Sequence, residues 1–233
     1  MNPNPEDLSF FAHYEELRSR LIKSIISVLV AACFFYVVID EVFAFVIRPV
    51  GKLVFTAPGE ALVARIMLTL FGGIFLAFPF ILYQAWRFVA AGLKEHEAKY
   101  VRIFAPCSFF LFVIGGLFAY FIAIPISIRF LLSFSNNLVV PMITVKNYIS
   151  FVGTMLLAFG IVFELPLVLM FLTKIGIATP AFLAQRRRYA IIIILAVSAL
   201  ITPPDFITQL IVAVPLIILY EAGIVASRLT YSK

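Results

Sequence analysis

Charge is scarce in this sequence: Asp, Glu, Lys and Arg make up 13% of the 233 residues, and only 12 of them are carboxylates. A soluble domain carries about twice that share on its surface, so a water-exposed globular fold is excluded. Histidine is limited to His13 and His96, and cysteine to Cys33 and Cys107. Neither pair clusters as metal ligands do, and the sequence has no His-Glu-x-x-His run and no Gly-x-x-x-x-Gly-Lys-Ser/Thr phosphate loop. No Ser, Lys or His stands at helical spacing from a base, as an intramembrane nucleophile would require. A catalytic function is not expected, and neither a cofactor nor a metal is implied. The two cysteines lie in apolar runs and are expected to be small buried hydrophobes. Polar linkers are missing too, so the chain reads as one polytopic membrane domain over 1–233.

What replaces charge is apolar surface. Hydrophobic residues reach 64% and the mean hydropathy is +1.11, which requires lipid. A bilayer core takes roughly 20 apolar helical residues to cross. The sequence therefore predicts an all-α membrane protein of six transmembrane helices, at approximately 21–39, 66–86, 103–124, 149–172, 189–201 and 206–226. No small-residue cleavage site follows the first, which argues for its retention. The fifth is short, with Thr202-Pro203-Pro204-Asp205 closing it. A re-entrant hairpin competes there with a crossing, and a thinned bilayer favours the crossing. Thirteen of the 18 Lys and Arg residues fall in the N-terminal tail, around 87–102, around 174–188 and in the C-terminal tail. The positive-inside rule places those segments, and both termini, in the cytoplasm. Basic residues set in short groups between spans indicate orientation, not a nucleic-acid-binding face. The apolar connections 42–50 and 130–143 are expected to lie on the membrane or cap the bundle, and Pro79, Pro125, Pro166 and Pro215 to bend their helices.

Against this background the polar residues are informative. Glu164, within Phe159-Gly160-Ile161-Val162-Phe163-Glu164-Leu165-Pro166, lies on the order of 12 Å from the cytoplasmic end of its span, beyond easy snorkelling. It is either a protonated acid bonded to neighbouring helices, with carbonyls freed by Pro166 among the partners, or a functional anchor or proton site. Near the N-terminus, Glu15 to Arg18 and Glu16 to Arg20 are spaced as helical ion pairs. In the loop from Phe88 to Glu97, Glu95 has Lys99 four residues on, which leaves Glu97 the freer acid. Two rim carboxylates, Glu15 and Glu97, suit bidentate bonding to guanidinium groups and so suggest an arginine-bearing ligand. Asp205 reads first as a helix N-cap, and Gln209 as a polar contact to a neighbouring helix.

The order of these features resembles the TatC family of twin-arginine protein translocases over nearly the whole chain. The matching residues are Glu15-x-Leu17-Arg18-x-Arg20-Leu21, Phe88 to Glu97, Phe159-Gly160-x-x-Phe163-Glu164-Leu165-Pro166, Arg186 to Arg188, Thr202-Pro203-Pro204-Asp205 with Gln209, and Tyr220-Glu221. One departure is Ala91, where the family usually has proline before Gly-Leu. The resemblance implies a curved, concave bundle with short fifth and sixth spans in the bacterial inner membrane. It also implies a core subunit that binds twin-arginine signal peptides and, with single-span TatA- and TatB-type partners and further copies of itself, exports folded proteins using the proton-motive force. By that resemblance Glu15, Glu97, Arg18 and Leu93 contact the signal peptide. Glu164, Gln209 and Asp205 dock partners within the membrane, and Pro49 serves translocation from the outer loop. The alternative is a proton-coupled small-solute transporter, though the inverted repeats common in such carriers are not evident.

Overall fold

The structure is a computed structural model that describes residues 5–93, 95–135, 141–202 and 206–231, with side chains from residue 13 onward apart from 94–98. Among these residues the fold is all-helical: α1 (Pro5–Val37), α2 (Ile39–Ile47), α3 (Glu60–Ala91), α4 (Glu95–Phe118), α5 (Ile124–Leu132), α6 (Val145–Val162), α7 (Leu165–Lys174), α8 (Pro180–Gln185), α9 (Arg187–Ile201) and α10 (Phe206–Thr230). A π-helical turn, Ala119–Ala123, joins α4 to α5. It stands directly ahead of Pro125, whose missing N–H interrupts the regular ladder.

Five helical stretches are long and apolar enough to cross a membrane: α1, α3, α4 with α5, α6 with α7, and α10. The third runs on to Leu132, well past the predicted end at 124, because the π turn absorbs Pro125 without breaking the helix. α9 has 15 residues, about 22 Å of helix against a hydrocarbon core of about 30 Å. α1 packs along α3, α3 against α4 and α6, and α10 against α7 and α9. The largest fully buried side chains include Phe112 of α4 and Phe159, Ile149 and Met155 of α6.

The two ends of the bundle differ in chemistry. One, the basic end, collects the start of α1, the close of α3, the start of α4 and the α8–α9 connection, with Arg18, Arg20, Arg87, Lys99, Arg102 and Arg186 to Arg188. The opposite end is capped by α2, whose Ile39 and Val46 are buried in the main core. Cys33 and Cys107 are exposed, not buried as their apolar surroundings suggested. Lipid-facing and protein-facing positions carry the same hydropathy, so an apolar run marks a span without marking its inner face.

Candidate functional site

Glu164 occupies the break between α6 and α7. Pro166 cannot donate to the preceding turn, and the backbone instead closes through Glu164 N–H to Ile161 O at 3.1 Å and Val168 N–H to Glu164 O at 2.9 Å. The side chain points into protein, with 8% of the residue exposed. The polar group beside it is the Ser108 side chain of α4, and no hydrogen bond joins it to a carbonyl freed by Pro166 among the described residues. Ser108 is itself fully buried and accepts from Trp86 Nε1 of α3 at 2.8 Å. Trp86 in turn meets Phe171 edge-on, centroids 4.9 Å apart, and both rings pack on Phe104. Glu164 Oε1 has no hydrogen-bond partner.

Two glycines bring Ser108 to Glu164. α4 and α6 run antiparallel and touch backbone to backbone, so that a Cβ on Gly115 would lie 2.5 Å from the Phe159 carbonyl oxygen and 3.0 Å from Gly160 Cα. Only residues without a side chain permit that approach. Two turns from Gly115 toward the basic end stands Ser108, and one turn from Gly160 in the same direction stands Glu164. The polar contact is therefore set by the close crossing beside it.

At the basic end, His13 stacks on Phe88 with centroids 4.5 Å apart, which seats this part of α1 against the last turn of α3. Glu16 pairs with Arg20, and Arg20 Nη1 also reaches Gln84 Oε1 of α3 at 3.1 Å. That second contact explains why this pair forms while Glu15 and Arg18, at similar spacing, form no ion pair among the described residues. Both are exposed, and with Ser19 and Lys23 they border an open depression of about 520 Å³. Leu93 is half-buried against the Trp86 cluster. Glu97 belongs to the first turn of α4, but its side chain lies outside the described residues, so the distance between the two rim acids is not defined. Ala91 ends α3, and with no proline there the helix runs unbroken to the loop.

In the last hairpin, Gln209 Nε2 donates to Leu195 O at 2.9 Å, tying α10 to α9. Asp205 lies outside the described residues. Arg187 grips Glu221 with two parallel bonds, Nε to Oε1 at 2.6 Å and Nη2 to Oε2 at 2.9 Å, and Tyr220 OH donates to Leu183 O at 2.9 Å. Pro49 is exposed in the turn after α2.

One organising residue at the capped end was not singled out from the sequence. Glu60 opens α3 ahead of the apolar stretch that begins at Ile66, and its carboxylate receives Thr56 N–H at 2.7 Å, Thr56 Oγ1 at 3.0 Å and Lys146 N–H at 3.3 Å. The Thr56 N–H, then the Thr144 hydroxyl, lead the contacts that hold its carboxyl down to about 2, against the opposing effect of burial. Beside it, a parallel bridge links Val54 to Thr144, with Val54 N–H to Ile143 O at 3.1 Å and Val145 N–H to Val54 O at 2.9 Å. Gly51, at φ +81°, turns the chain into this bridge, a conformation that favours glycine. The only sequence signal was Thr four residues before a Glu at a helix start, which resembles ordinary capping.

Comparison with known proteins matches these features to one family. The family profile described as Sec-independent protein translocase protein (TatC) covers residues 12–215. A TatC from Desulforapulum autotrophicum is 40% identical over 240 residues, spanning 100% of this chain and 89% of its own length. The TatC of Aquifex aeolicus is 41% identical, with 95% of both chains covered. A crystal structure of the twin arginine translocase receptor TatC superposes with a TM-score of 0.87 at 40% identity, over 94% of this chain and 99% of that one. The chain accordingly belongs to the TatC family and is a core subunit of the Sec-independent, twin-arginine protein translocase.

Proposed function

We propose that this subunit is the translocase receptor, with its basic end in the cytoplasm, six crossings and both termini inside. The orientation is supported by the gathering of most Lys and Arg residues at that end. α9 is the fifth crossing, spanning a bilayer thinned around it. Twin-arginine signal peptides bind at the rim, where Glu15 and Glu97 accept the two guanidinium groups in paired hydrogen bonds. Arg18 and Leu93 border the same surface. The observation that carries this reading is the seating of α1 on the last turn of α3 through His13 and Phe88, which leaves Glu15 exposed and unpaired among the described residues.

Within the membrane, Glu164, Gln209 and Asp205 are docking points for TatA- and TatB-type single-span helices, and Pro49 serves translocation from the outer loop. The reading of Glu164 is supported by its buried oxygen without a partner, a group that costs on the order of 1–3 kcal/mol and is relieved by an incoming donor. Several copies assemble with these partners, and the proton-motive force drives export of the folded cargo.

The test is photocrosslinking of a twin-arginine signal peptide in membranes to wild type and to Glu97→Gln, Glu97→Ala and Glu15→Gln. The proposal expects each variant to lose most of the crosslink. Full crosslinking in all three removes the rim acids from recognition.

A further inference from the structure

Between α3 and α4 at the basic end lies a cavity of about 360 Å³ that the receptor role does not use. Arg87, Lys99 and Arg102 line it, together with Tyr83, Trp86 and Ala105, and none of its described lining residues is a carboxylate. Arg87 Nη1 donates to Tyr83 OH at 3.3 Å and its guanidinium lies 5.7 Å from that ring. The tyrosine thus aims one cation at the cavity from α3, while Arg102 stands across from it on α4. Lys99 lies 5.3 Å from the Tyr100 ring, which also carries Lys174 at 5.3 Å on α7. Gathering like charges at the membrane surface is unfavourable, and an anion placed among them relieves the repulsion.

We propose that this cavity is a binding site for an anionic glycerophospholipid of the adjoining leaflet. The phosphate sits among Arg87, Lys99 and Arg102, at the height where apolar helix gives way to charged rim. Basic pockets between transmembrane helices hold acidic headgroups in this way. The acyl chains follow α4 into the bilayer. Arg102, Ala105 and Phe109 fall at i, i+3 and i+7, one stripe of the helix, and Phe109 is exposed on the bundle surface. A soluble phosphate would have no use for that stripe, which is why a lipid is the occupant.

Trp86 is the only tryptophan in the sequence and forms part of the cavity wall, so its fluorescence reports on the site. The full chain is reconstituted in vesicles of equal parts phosphatidylcholine and phosphatidylglycerol, with bromine on the acyl chains of one lipid at a time. Brominated phosphatidylglycerol is expected to quench Trp86 more than brominated phosphatidylcholine. In Arg87→Gln/Arg102→Gln the apparent preference is expected to fall about thirtyfold, from the loss of two surface cations. Arg129→Gln, at the capped end, keeps the preference. Ala105→Leu takes up part of the cavity without altering charge and is expected to weaken the preference, which keeps the test decisive if the double variant does not fold. Equal quenching by both lipids in wild type overturns the site, as does a preference unchanged in Arg87→Gln/Arg102→Gln or in Ala105→Leu. Loss of the preference on adding inorganic phosphate assigns the cavity to a soluble anion and overturns the lipid. None of these outcomes depends on signal-peptide binding, so the receptor reading stands or falls separately.

Discussion

Ser108 of α4 accepts from Trp86 Nε1 at 2.8 Å and stands beside Glu164 at the break between α6 and α7. One serine therefore lies between polar groups of two other helical segments in the middle of an apolar bundle. Removing it leaves the indole N–H without its partner and the carboxyl with one polar neighbour fewer, a loss on the order of 1–3 kcal/mol. Ser108→Ala is expected to lower the melting temperature of the detergent-solubilised protein and to shift Trp86 emission. Replacing the acid as well, in Ser108→Ala/Glu164→Met, is expected to recover part of the loss, since an apolar pair leaves less unpaired. A double variant less stable than Ser108→Ala would show that Glu164 is held by something other than this contact.

The crossing that brings these two residues together makes its own prediction. A methyl group on Gly115 meets the Phe159 backbone, which cannot move without shifting α6, whereas one on Gly116 meets the Phe75 ring at 2.8 Å, which can rotate. Gly115→Ala is expected to cost about 1–3 kcal/mol as an overpacked site, and Gly116→Ala less. Thermal melts of the two variants decide it. The reverse order would mean that α4 and α6 are not in backbone contact.

Much of this was legible in the sequence, and the parts that were not have two causes. Apolar runs of sufficient length located the five long apolar helices because lipid demands them. Glu164 stood out because an acid in such a run needs a reason. Its polar neighbour did not stand out, since Ser108 in an apolar helix is an ordinary sight and its role depends on which face of α4 meets α6. Cys33 and Cys107 were misplaced for the same reason, because hydropathy carries no information about the direction a residue faces. Glu60 was hidden differently. Its partners Thr144 and Lys146 are more than 80 positions away, in a connection that no local pattern joins to it. Of the proposed recognition residues, the turn of α1 holding Glu15 and Arg18 is set beside the end of α3, just ahead of Leu93, through His13 and Phe88, a contact that spacing alone did not suggest.

The short α9 is fastened by few polar contacts, which gives the Arg187–Glu221 pair a readable role. Both side chains are 43% exposed, so the pair adds little to global stability, within about 1 kcal/mol. Its two parallel bonds nevertheless fix the start of α9 on α10, a geometry that lysine cannot reproduce. Arg187→Lys is expected to leave the melting temperature nearly unchanged while speeding hydrogen exchange at the amides of the first turns of α9. Exchange rates identical to wild type would mean that α9 is held by its apolar contacts alone.

At the capped end, Glu60 couples stability to pH. Its carboxyl titrates at about 2 in the folded protein against an ordinary value of 4.5, chiefly because the Thr56 N–H and the Thr144 hydroxyl favour the charged form. A depressed carboxyl stabilises the fold fully above its unfolded value, and the contribution fades as pH falls from about 4.5 toward 2. Glu60→Gln keeps a carbonyl for the donors but cannot be charged, so it lacks that term. Melting temperatures measured from neutral pH down to acid are therefore expected to separate most above pH 4.5 and to converge near pH 2. The bridge between Val54 and Thr144 depends on the same donors being held in place. Glu60→Gln should consequently also raise exchange at Val145 N–H, which bonds Val54 O, at neutral pH. A variant whose melting curve runs parallel to wild type at every pH would show that the carboxylate is not what ties the two connections together.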